Sequence, residues 1–409
     1  MNRKKFIYEI WFAYIMFYVC FKHLFINDNF LYVILDVLFF AVVLKAIPQE
    51  IKIKCEVWWL FYLFLVIDMF FSAFYGLYFQ DAIKFSVVYL NFLIITLFFA
   101  QLTDWQEIFF KWIKIGCLFH LFFTYFSIFF TNQALKITAQ FLTKETQAIT
   151  ARWANEFHIY AGISGQTGTN AFFFSVLVGV FLSELRTNSK NKWHIKLLLF
   201  SSWIGMVFTG KKGLIIAAIL STMVIYWVTG NGTIKRWILA SGGIMLFGIS
   251  ALAIVFRERI YNMFYISVFT RLKIGEGMLS AILNHPIGGS GVNSIGAYTY
   301  DGHLGHNIYL QIWVEQGIIG LIILLIALFI PLYLTYIKVK NNTLYGNHLK
   351  TNCYSLFMQI FIIIYGFFGN PIYDYNIIIT FLLSLAAGFA DECSYNKNKK
   401  IKTANLKLM

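Results

Sequence analysis

Apolar stretches long enough to cross a membrane follow one another along almost the whole chain, and this repetition limits the fold more than any motif. A helix needs about 20 apolar residues to span a bilayer. The expected spans are Phe6–Phe21, Phe30–Ile47, Val57–Tyr78, Phe85–Leu102, Ile108–Phe130, Asn170–Leu185, Leu197–Thr209, Gly213–Val228, Trp237–Phe256, Ile308–Ile337, Cys353–Phe368 and Asn376–Ala390. The seventh and eighth are short and nearly fused across Lys211 and Lys212, so they could form one re-entrant hairpin. The fold class expected is therefore an all-α polytopic membrane protein of about ten to twelve transmembrane helices. The composition agrees. Of the 409 residues 59% are hydrophobic and only 13% charged, where a soluble domain carries roughly 25% charged residues. Four prolines and no Pro/Ser/Gly-rich linker leave residues 1–409 as a single transmembrane domain.

The net charge of +14 would raise nucleic acid as a partner in a soluble chain. Here most basic residues sit in short loops between apolar runs, where Lys and Arg mark the cytoplasmic side; no nucleic acid is expected. Arg3, Lys4 and Lys5 place the N-terminus inside. Lys52 and Lys54, Arg186, Lys190 and Lys192, Lys235 and Arg236, and Lys338, Lys340 and Lys350 mark the inner loops. Lys397, Lys399, Lys400 and Lys402 return the C-terminus to that side. Met1–Lys5 is basic, but the run after it lacks a small-residue cleavage site and reads as the first span. The five cysteines show no C-x-x-C spacing, so neither a disulfide framework nor a zinc site is expected.

The same parity puts three segments outside: residues 131–165, the turn at Lys211–Lys212, and a long loop over 257–305 between the ninth and tenth spans. The outer face should be poor in cations, yet it carries Arg152, Lys211, Lys212, Arg257, Arg259, Arg271 and Lys273. As a set these fit an anionic ligand, because guanidinium and ammonium groups stabilise phosphate oxygens. Singly, each could hold a lipid head group or pair with Glu258 or Glu276. In His285-Pro286-Ile287-Gly288-Gly289-Ser290-Gly291 the glycines predict a tight loop whose amides could face an anion. His303, His306 and Asn307 follow at the mouth of the tenth span. A neutral imidazole there could accept a hydroxyl proton. Two histidines with no third ligand make a weak metal case, so no metal and no cofactor are expected.

These residues carry a family resemblance. The pattern from Pro286 through Gly291, then His306-Asn307-Ile308-Tyr309-Leu310, then Glu315-Gln316-Gly317 and Gly320, resembles the shared domain of O-antigen ligases and Wzy-type O-antigen or capsular polysaccharide polymerases. Gly165-Gln166-Thr167-Gly168-Thr169-Asn170-Ala171 is similar to the opening of a central span in that family, and Arg271 precedes the glycine loop at a family spacing. Two departures stand out. Lys211-Lys212 replaces the usual Ser-Arg, so point charges replace a bidentate fork, and the tryptophan often found after Arg271 is absent. The resemblance implies glycosyl transfer from a lipid diphosphate-linked oligosaccharide on the outer face of a bacterial inner (plasma) membrane. His306 would orient the acceptor hydroxyl; Arg271, Lys211 and Lys212 would stabilise the undecaprenyl diphosphate leaving group. His303, Asn307, Arg257 and Arg152 would contact substrate. Donor and acceptor glycans, the bilayer, a chain-length regulator and a flippase are the implied partners. Polymerisation is the first reading, ligation to lipid A-core the second, and lipid-linked oligosaccharide flipping the third.

Other polar residues fall inside spans. Glu315 lies nine positions after His306, which on an unbroken helix puts it on the opposite face; support of a neighbouring helix or of the basic loop is expected. Asp36, Asp68 and His120 read either as buried hydrogen bonds or as a proton or ion relay.

Overall fold

The structure, a computed structural model, describes residues 3–22, 29–46, 57–102, 105–187, 193–235, 272–299, 302, 305–341 and 347–406. Among these the chain is all-helical, with no strand. The principal helices are α1 (Arg3–Phe21), α2 (Asn29–Ala46), α3 (Val57–Ser72), α4 (Phe79–Ala100), α5 (Gln106–Phe129), α6 (Thr131–Thr138), α7 (Lys144–Phe157), α8 (Thr167–Thr187), α9 (Trp193–Phe208), α10 (Lys212–Thr229), α11 over 272–284, α12 (Ile308–Lys340), α13 (Asn347–Tyr365) and α14 (Tyr375–Leu406). Helices occupy every expected span except Trp237–Phe256, which lies outside the described residues.

Five helices are long and apolar enough to cross a membrane: α4, α5, α8, α10 and α12. Four shorter apolar stretches, in α2, α3, α9 and α14, accompany them. Lipid offers no partner to a backbone N–H or C=O, so a helix, which satisfies both internally, is the form such segments take. The chain is a helical, membrane-embedded protein. Phe40, Phe64, Phe71, Phe122, Phe200 and Tyr333 expose their rings around the bundle, as side chains solvated by lipid do.

At the centre, α8 is buried along nearly its whole length, and so are α13 and the apolar half of α14. Helix α8 packs on α5, α9, α10 and α13, α3 on α4 and α12, and α14 on α4 and α13. Small residues set the closest approaches: Gly179 of α8 faces the Phe357 ring, and Gly205 of α9 faces Leu121 and Phe174. Helices α9 and α10 diverge from their turn, α9 lying mainly on α8 and α10 on α13. They are two separate helices, each packed on a different neighbour. The 131–165 segment is likewise not a plain loop. It folds as amphipathic α6 and α7, with Thr143 Oγ1 accepting from Thr146 N at 3.3 Å to cap α7.

Charge is distributed unequally between the two ends. At the end holding the starts of α1, α5 and α13, ion pairs join Lys111 to Glu9 (2.9 Å), Lys114 to Glu184 (2.7 Å) and Lys350 to Glu107 (2.6 Å). The opposite end, called the upper end below, gathers the connections after α3, α5, α9, α11 and α13.

Candidate functional site

The upper end is organised by a break in α12. Gly317 adopts φ 67°, ψ −170° inside an otherwise continuous helix, a conformation that favours glycine. The glycine-rich loop 285–291 fills the break. Ser290 N donates to Val314 O and Gly291 N to Glu315 O, both at 2.8 Å, and Ile318 N donates to Pro286 O at 3.0 Å. Tyr75 Oη donates to Gly288 O at 2.7 Å and Val292 N to Ser72 Oγ at 3.2 Å, so the loop also locks onto the top of α3. Asn293 Nδ2 donates to Asp81 Oδ2 at 2.8 Å and ties it to α4.

These contacts correct the expectation that the loop amides face a substrate anion. The amides of Gly289, Ser290 and Gly291 serve the protein's own backbone, and the group beneath them is the Glu315 side chain. It is fully buried. Gln311 Nε2 donates to Oε1 at 3.0 Å, Tyr373 Oη donates to Oε2, and the backbone amides of Asn293 and Ile295 approach the same carboxylate. A carboxylate out of water is tolerated only when donors replace its hydration. Burial, with the Glu315 carboxylate second, pushes the Tyr373 phenol well above its ordinary value, so Tyr373 stays a donor. Glycine is required where the loop meets the helix: Gly289 has φ 72°, and a Cβ there would overlap the Glu315 carbonyl group. Gly289→Ala is expected to lower stability by about 1–3 kcal/mol from backbone strain alone, with the overlap adding to it. Thermal unfolding of the detergent-purified protein measures this, and wild-type behaviour would refute the lock.

The cationic turn lies on the same end. Gly210 (φ 69°) reverses the chain between α9 and α10 and leaves Lys211 and Lys212 exposed. Lys211 reaches over the first turn of α8: a Cβ on Gly168 would stand 3.9 Å from Lys211 Cε. Two helix N-termini and two ammonium groups thus share one corner, and unpaired amides at a helix start favour anions. Asn170, in the resembling Gly165–Ala171 segment, has a structural task; its Nδ2 donates to Thr124 Oγ1 (2.9 Å) and Tyr160 O (3.2 Å), pinning α8 to α5.

The start of α12, just after His306, and the lysine turn both pack on the α13–α14 connection. Ile308 N donates to Gly366 O at 2.9 Å and Tyr309 Oη to Ile363 O at 2.7 Å. Two residues beyond Gly366, Phe368 packs on Gly213, the residue after Lys212. His306 itself is exposed, with φ 47°. Holding a non-glycine residue there costs about 1–3 kcal/mol, and such strain clusters at functional sites. Asn307 accepts from Tyr309 N (3.0 Å) and Leu310 N (3.1 Å), so its side-chain carbonyl caps α12.

The remaining candidates divide. Arg152 is exposed on α7, paired with Glu156 at 3.0 Å and set over the Phe157 ring. Arg257, Arg271 and His303 lie outside the described residues, as does the whole stretch 257–271. Among the described residues no three His, Cys, Asp or Glu side chains gather as metal ligands. Asp36 accepts from Asn91 Nδ2 at 2.6 Å, and His120 Nε2 meets Cys20 O at 3.0 Å between the Phe21 and Phe173 rings; both fit the buried hydrogen-bond reading.

Two features escaped the sequence reading. Lys22 lies buried at the upper end of α1, its Nζ 4.7 Å from the centre of the Tyr375 ring and 5.9 Å from that of Tyr18. A cation at the end of the first apolar run was the signal. The 366–375 connection is the second: it touches α1, α10, α12 and Glu315, and its Gly369-Asn370-Pro371 turn is the mark that could have found it. Compared with known proteins, the chain matches no family model and no curated sequence.

Proposed function

We propose that this protein is a membrane-embedded glycosyltransferase that joins lipid diphosphate-linked oligosaccharide repeat units into O-antigen, capsule or exopolysaccharide. The reading places twelve crossings in a bacterial plasma membrane, both termini in the cytoplasm and the upper end outside. No ATP is available there, so the donor arrives already activated as an undecaprenyl diphosphate glycan. The observation that carries it is that the neighbours of the lysine turn and of the strained His306, Gly213 after Lys212 and Ile308 two positions after His306, pack on the 366–368 connection. The resemblance stated from the sequence supplies the chemistry.

In that chemistry the acceptor hydroxyl attacks the anomeric carbon of the donor. His306 takes the hydroxyl proton as the new C–O bond forms. The bond from the anomeric carbon to the phosphate oxygen breaks, and its electron pair leaves with the diphosphate. Lys211 and Lys212 stabilise the charge that grows on those oxygens. The glycine loop contributes rigidity rather than phosphate contacts, because it is bonded to α12. The donor's prenyl tail lies in an apolar groove between helices.

The test is purified protein in detergent, supplied with undecaprenyl diphosphate-linked oligosaccharide. Lengthened glycan on the lipid supports the reading and excludes flipping, since there is no bilayer to cross. Unchanged substrate under conditions that keep the protein folded sinks it. Gene deletion separates polymerase from ligase: single-repeat product indicates a polymerase, unattached long chains a ligase.

A further inference from the structure

Three non-glycine residues among those described have a left-handed backbone: His158, Asn293 and His306. Asn293 is bonded to Asp81, and His306 precedes α12. His158 ends α7 with φ 52° and ψ 38°, at the helix-end position that glycine or asparagine usually fills. Its side chain is exposed. Glycine would take this backbone without strain, and strain of this kind clusters at functional sites.

The residues after His158 are fixed to the lysine turn. Tyr160 N donates to Phe208 O at 2.9 Å, and the two rings meet edge to face at 6.2 Å. Ile159 covers Gly210: a Cβ there would stand 2.8 Å from Ile159 Cδ1. Ile159 N also returns to α7, donating to Trp153 O at 3.0 Å. His158 is therefore the residue before Ile159, and Lys211 is the residue after the glycine that Ile159 covers. Both are exposed, as is Lys212. Glu156, the nearest acid along the chain, is paired with Arg152 at 3.0 Å. Helices α9 and α10 and the turn between them contain no acidic residue. An imidazole and two ammonium groups thus stand on one corner of the upper end.

We propose that His158 is a further ligand-binding residue of this corner, its imidazole N–H donating to a phosphate oxygen of the diphosphate that Lys211 and Lys212 hold. An N–H aimed at a charged oxygen makes one of the stronger hydrogen bonds. The tie through Ile159 and Tyr160 fixes the start of this donor's side chain relative to the lysine turn. The identity of the ligand rests on the glycosyl-transfer reading, but the site can be tested without the glycan donor.

Binding of radiolabelled inorganic pyrophosphate to the full chain in detergent, at fixed salt, reads the site directly. Wild type should bind it, and Lys211→Ala should weaken that binding. His158→Gly keeps the left-handed helix end and should unfold at the wild-type temperature or above. It should nevertheless bind pyrophosphate about 10-fold or more weakly, the scale of a hydrogen bond to a charged group. His158→Asn also tolerates this backbone and keeps an N–H, so it should bind between the two. Orthophosphate and phosphatidylglycerol should compete poorly. Undiminished binding by His158→Gly or Lys211→Ala overturns the site, and so does a wild type that binds no pyrophosphate. Competition by orthophosphate or phosphatidylglycerol as strong as by pyrophosphate itself overturns the diphosphate assignment. Pyrophosphate bound through His158 by a protein that lengthens no glycan supports the site and removes the glycosyl-transfer reading alone.

Discussion

Glu315→Ala is expected to destabilise the protein by about 3–5 kcal/mol, the scale for removing one member of a buried charged network. Two donors lose their acceptor at once, Tyr373 Oη and Gln311 Nε2, and the amides of Asn293 and Ile295 lose a nearby carboxyl. None can turn to water at that depth, and each buried group left unsatisfied costs about 1–3 kcal/mol. Glu315→Gln keeps the volume but sets an NH₂ against donors, so it should fall between wild type and alanine. Tyr373→Phe removes a single donor and should be milder than either. Thermal unfolding in detergent gives the ranking. If Glu315→Ala unfolds at the wild-type temperature, the carboxylate does not hold the upper end together.

His306→Ala is expected to lower glycan lengthening by about 10²–10⁴-fold, the usual contribution of a positioned base, with little change in the unfolding temperature. The backbone gives this test a sharper form. His306 has φ 47°, so His306→Gly relieves the left-handed strain and should fold at least as stably. A protein as stable as wild type or more so, yet unable to lengthen its substrate, would show that the histidine is kept for its imidazole. Retained polymer in either variant would remove the assignment.

How much of this was legible in the chain differs from element to element. The apolar runs located the helices because hydropathy is a local property, averaged over about 20 residues. The single missing span reflects only the reach of the described residues. The amphipathic helices at Thr131–Thr138 and Lys144–Phe157 were read as loop because their apolar positions are too few to register as spans. The glycines of 285–291 were correctly marked as a tight turn, but the partner of that turn was not. Glycine content announces that a backbone comes close to something and does not say to what. Glu315 is the clearest case: its distance from His306 along a regular helix was predicted, while its partner Tyr373 comes from the connection between the next two helices.

By itself the sequence determined that the chain is helical and membrane-embedded, and it singled out Lys211, Lys212 and His306 as candidates. Tertiary structure alone decided that the glycine loop grips α12, that the Glu315 side chain lies beneath it, and that residues 366–368 touch both the start of α12 and Gly213 after the lysine turn. The physical reason is separation along the chain. Spans are set by neighbours, whereas the deciding contacts link residues 58, 213 and 220 positions apart, Tyr373 with Glu315, Tyr75 with Gly288 and Ser72 with Val292. Only the folded bundle brings such groups together.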